Sequence, residues 1–78
     1  MTPHDIAMLL KYQFEQNHID EKLFAEKVLN NKNERTFQNL MNEKRNWNEI
    51  SIFARNSFKK IYMWIKNPDK SEKYNGLL

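Results

Sequence analysis

With 78 residues the chain has room for one domain with a modest core and none for a second. Apolar residues make up 40% of it and charged residues 29%, with one Gly and two Pro, which excludes the disordered and collagen-like classes; the absence of Cys excludes disulfide and thiolate chemistry. Thirteen Lys and Arg against ten Asp and Glu leave a net charge of +3, an excess compatible with nucleic acid without demanding it.

The chain opens on Thr2-Pro3 followed by Asp5, where a hydroxyl can cap, proline suits the first helical position and a carboxylate favours the positive helix end. Ile6, Leu10 and Phe14 recur every fourth residue, so a first helix is predicted over about residues 3–16. Asp20 is a good cap for a second helix over about 20–29, with Ile19 placed to staple against it and Leu23, Phe24 and Val28 supplying its apolar side. The polar stretch Asn30 to Asn33 reads as a turn, and Phe37, Leu40 and Met41 mark a short third helix. Two short helices joined by a tight polar turn form a helix-turn-helix, and the fold class predicted is all-α, a small bundle of four to five helices.

Beyond a basic, polar loop, Asn42 to Asn46, Trp47 is expected to plug the core over the helix ends. The last long helix carries Ile52, Phe53, Phe58, Ile61, Tyr62, Trp64 and Ile65, an apolar density typical of the most buried helix of a bundle, and ends at Asn67-Pro68. The domain is thus expected over residues 1–68, with 69–78 a flexible C-terminal tail.

No apolar run approaches the ~20 residues of a bilayer span, and Met1-Thr2-Pro3-His4-Asp5 lacks a secretory pattern, so a soluble, intracellular protein with no membrane partner is expected. Catalysis is not expected either. No Gly-rich phosphate loop, His-Glu-x-x-His spacing or nucleophile setting for Ser occurs, and His4 and His18 stand alone at helix ends. The carboxylates Asp5, Glu15, Asp20, Glu21, Glu26, Glu34, Glu43 and Glu49 are spread over polar faces and helix starts. Neither cofactor, metal nor small-molecule substrate is implied.

Three segments, in this order and spacing, resemble the CUT domain of eukaryotic transcription factors: Leu23-Phe24-Ala25-Glu26-Lys27-Val28-Leu29, Trp47 after its basic loop, and the run from Ala54 through Phe58 and Trp64 to Pro68. Family members carry a Phe-Ala-Glu-Arg/Lys-Val-Leu helix, a Lys-Pro-Trp loop and an Arg-Glu-x-Phe-x-x-Met-x-x-Trp-Leu run ending in Asp/Glu-Pro. The resemblance runs from about Ile6 to Pro68 and implies a five-helix fold similar to lambda repressor, a third helix that enters the DNA major groove, and a place in a nuclear transcriptional or chromatin regulator. Double-stranded DNA is the partner it implies, and the nucleus the location.

The family's functional residues carry over unevenly. A Ser-Gln pair that opens the second helix in the family is Asp20-Glu21 here, and carboxylates near a polyanion release no counterions. The family's Ser-Gln-Gly-Thr-Leu-Ser becomes Asn33-Glu34-Arg35-Thr36-Phe37-Gln38 after one extra turn residue; only Thr36 is identical, and either Asn33 or Glu34 takes the place of the amide that pairs with adenine. Lys32, Arg35, Gln38, Asn39 and Asn42 nevertheless surround the third helix with base-reading types, while Lys44, Arg45 and Arg55 match or neighbour basic family positions suited to phosphate.

Met8, Leu9 and Tyr12 occupy places usually charged in the family, on the side of the first helix away from Ile6, Leu10 and Phe14, and Met63 stands at a usually polar place. A second reading follows: a CUT-derived module that has lost most DNA binding and uses this apolar face for a protein partner or for self-association. Alternatively Tyr74, Leu77 and Leu78 fold back and cover the same face.

Overall fold

Thr2 and Asp5 begin the first helix by capping each other: the Thr2 hydroxyl accepts the Asp5 backbone N–H at 3.2 Å and the Asp5 carboxylate accepts that of Thr2 at 3.0 Å. These hydrogen bonds hold the Asp5 carboxyl below its usual range. The helix they open, α1 (Pro3–Asn17), stops where His18 turns left-handed, at φ 53°. In this computed structural model, which describes residues 1–77, four more helices follow: α2 (Glu21–Lys27), α3 (Glu34–Met41), α4 (Ile52–Lys66) and α5 (Lys70–Lys73), with one turn of 3₁₀ helix at Trp47–Glu49. No strand occurs among the described residues, so the fold is all-α.

Each later α-helix is started by a side chain placed for the purpose. Asp20 accepts the Lys22 and Leu23 N–H groups, Asn33 those of Arg35 and Thr36, Ser51 that of Ala54 and Asp69 that of Glu72. Caps matter here because α2, α3 and α5 are too short to persist on propensity alone.

What holds the helices is one core. α1 buries Ile6, Ala7, Leu10 and Phe14, and packs most extensively along α4, which buries Ala54, Phe58, Ile61 and Trp64. Phe24 of α2 lies fully buried at the centre, edge-on to Phe14 at 5.2 Å and to Trp64 at 4.9 Å. α3 adds Phe37, Leu40 and Met41 and rests on α1 and α2. Trp47 packs against this core, edge-on to Phe58, and its indole N–H donates to the Met1 carbonyl at 2.8 Å.

Two expectations are corrected. Residues 69–77 are not a loose tail: α5 and the turn after it close one side of the core. Leu77 is only 2% exposed, its carbonyl accepts the Asp20 N–H at 3.1 Å, and the buried Trp64 indole donates to the Lys73 carbonyl at 2.8 Å. Lys73, 8% exposed, holds its ammonium over the Trp64 and Tyr74 rings and donates it to the Ile65 carbonyl near the end of α4; burial pushes its pKa down. Gly76, at φ 74°, makes the turn that returns Leu77 to the core. Nor is α4 buried from its start: Ile52 is 71% and Phe53 55% exposed, because Ala54, Ser57 and Phe58 take the inward positions of the first turns.

Candidate nucleic-acid interface

The face of α3 opposite Phe37, Leu40 and Met41 points outward, because eight helical residues with this spacing cannot bury more than one side. Arg35, Gln38 and Asn39 are exposed on it; Lys32 and Asn33 are exposed before it and Asn42 after it. Thr36 is half-buried. The structure therefore brings together seven of the ten residues singled out for DNA contact, on one short helix and its two ends.

Several of them already have local work. Asn33 is the α3 cap, so its carbonyl oxygen is occupied by the Arg35 and Thr36 N–H groups at 3.0 and 3.3 Å and only its amide nitrogen is free to donate elsewhere. Gln38 donates to Glu21 of α2 across a long 3.5 Å. Glu21, Glu26 and Glu34 share a shallow hollow between α2 and α3 with Lys22 and Lys32, so this face is mixed in charge rather than uniformly basic.

The loop after α3 holds Lys44 and Arg45, both exposed. Glu43 grips the Arg45 guanidinium at 2.8 and 2.9 Å, and this contact lowers the Glu43 carboxyl to about 2 and raises the guanidinium. Arg55 is half-buried on α4 and donates to the Ile50 carbonyl at 3.3 Å, which fastens the loop's end. The tethering of Gln38 by Glu21 was not visible in the sequence, since the partners stand seventeen residues apart. The Glu43–Arg45 pair could have been suspected from a carboxylate two residues before a guanidinium.

On α1 and α4, Met8, Leu9, Tyr12 and Met63 are all exposed. The C-terminal segment does fold back, but onto other partners: Tyr74 packs edge-on to Trp64 and its hydroxyl bonds the Gln13 side chain at 3.3 Å, while Leu77 joins the core. Leu78 lies outside the described residues.

A capped pair of short helices, the second presenting cations and amides to solvent from an otherwise buried frame, defines a helix-turn-helix domain. The chain belongs to the CUT domain family, whose model matches residues 2–75 and so takes in the α5 segment as well. CUT domains are DNA-binding domains. No curated protein and no solved structure matches the chain.

Proposed function

We propose that this domain binds duplex DNA for a nuclear transcriptional or chromatin regulator, with α3 in the major groove. The observation that carries the reading is the division of α3 into a buried side, Phe37, Leu40 and Met41, and an exposed side of Arg35, Gln38 and Asn39. Arginine pairs with guanine and amides pair with adenine, so this side can read bases. Lys32, Lys44 and, once released from Glu43, Arg45 contact phosphates and set the register. Arg55 acts indirectly, by fixing the loop that carries Lys44 and Arg45.

The acids on the same face set the strength. Glu21 and Glu34 oppose the polyanion, so a single copy binds weakly and gains from a second module or partner. Anisotropy of labelled mixed-sequence duplex, titrated with the domain at low and near-physiological salt, tests the proposal. Binding that weakens steeply with salt supports it; no binding at low salt refutes it.

A further inference from the structure

α1 and α4 leave an apolar groove open between them, on residues that take no part in the DNA reading. Its floor is Met1, Ile6, Trp47, Tyr62 and Met63, and Lys59 is the charged residue that lines it. The groove runs on past Met1 into a hollow walled by Met8, Leu9 and Tyr12, and past Met63 into another walled by Lys66 and Pro68. None of these residues belongs to α2 or α3. Met63, 73% exposed, stands at its middle.

Charge says what covers it. Lys59, Met63 and Lys66 follow one another at spacings of four and three, so they form a cation, apolar, cation row along one line of α4. The seven steps from Lys59 to Lys66 rise about 10.5 Å, two helical turns. The Lys66 ammonium lies 5.5 Å from the centre of the Tyr62 ring, which holds it at the groove's edge. α4 carries Arg55, Lys59, Lys60 and Lys66 and no carboxylate. Asp5, at the α1 end, is engaged by the Thr2 N–H.

We infer that the groove binds an acidic amphipathic helix of another protein. Its bulky apolar side chains seat on Trp47 and Met63, and carboxylates two turns apart meet Lys59 and Lys66. A helix laid in a groove is read through apolar anchors at such spacings, and flexible methionines adapt to the anchors they receive. A second copy of this chain is a poor occupant, since a symmetric contact through α4 sets Lys59 and Lys66 against their own counterparts.

The test is a displayed library of sixteen-residue helices with varied apolar anchors, flanked either by Glu or by Lys, panned against the whole chain. Glu-flanked clones should be recovered, and a synthetic fluorescein-labelled peptide of that sequence should lose on the order of tenfold in affinity with Met63→Asp and with Lys59→Glu. Replacing the peptide's Glu by Lys should restore binding to the Lys59→Glu chain, and Arg35→Glu should leave the peptide affinity unchanged. Both groove substitutions are at exposed positions, and circular dichroism melts would verify the fold. Recovery of no clones, recovery indifferent to flanking charge, or a dimer in sedimentation equilibrium that Met63→Asp splits would overturn the proposal.

Discussion

Both carboxylate oxygens of Glu43 accept from one edge of the Arg45 guanidinium, at 2.8 and 2.9 Å, and Glu43 also accepts the Arg45 backbone N–H at 3.0 Å. The loop that follows α3 therefore carries its own internal anion. Exposed pairs of this sort are weak in water, so a phosphate can compete for the guanidinium. Glu43→Gln removes the competitor, and DNA affinity should rise several-fold. The dependence of log affinity on log salt should steepen by about 0.9, one further phosphate contact, when titrations are repeated over a salt series. An unchanged slope would mean that Arg45 never reaches the backbone.

The same pair predicts an acid-side titration. Arg45 hydrogen bonds lower the Glu43 carboxyl from an ordinary 4.5 to about 2 in the folded chain. A carboxyl depressed by folding contributes stability above its unfolded pKa and loses it as pH falls towards the folded one. The contribution is complete above about pH 4.5 and fades towards pH 2. Carbon-detected NMR of the Glu43 carboxyl should give a midpoint near 2, and in the Arg45→Ala chain the midpoint should return towards the ordinary value.

On α3 and its loop, reversing charge should separate the two surfaces. Arg35→Glu with Lys44→Glu should lower duplex affinity on the order of a hundredfold, and Met63→Asp should leave it unchanged, all read by the same anisotropy titration. Glu21→Gln should act the other way, strengthening binding by removing a negative charge beside Gln38 while leaving an oxygen that can accept its N–H. If Glu21→Gln weakens binding, that carboxylate is itself a base-reading group.

Leu77→Ala tests whether the C-terminal turn belongs to the fold. Removing a buried leucine side chain costs about 2–5 kcal/mol, and in a domain of this size each kcal/mol shifts Tm by roughly 4–8 °C. Thermal melts should therefore show a drop of at least about 8 °C. A change of a degree or two would show that Leu77 is not packed in solution.

The long helices were legible because several local signals agreed. Thr2, Pro3 and Asp5 announce α1 before its apolar period begins, and Asn67-Pro68 marks the end of α4. The α5 segment was missed for a physical reason. Its burial comes from a lysine, a tyrosine and one leucine, with no period to betray them, and its partner Asp20 is distant in sequence. Ile52 and Phe53 mislead in the opposite sense, since apolar identity says nothing about which side of a helix faces the core. The outward residues of α3 could be read as the complement of Phe37, Leu40 and Met41, but not that Asn33 is spent on a cap.

Trp47 and Trp64, the two indoles of the chain, sit in different surroundings. Trp47 is half-buried in the floor of the groove, bonded to the Met1 carbonyl, whereas Trp64 is sealed behind Tyr74 and Lys73. Anything that settles over Met63 changes the solvation of the first indole and leaves the second as an internal standard, so the unmodified chain carries its own unlabelled optical gauge of occupancy.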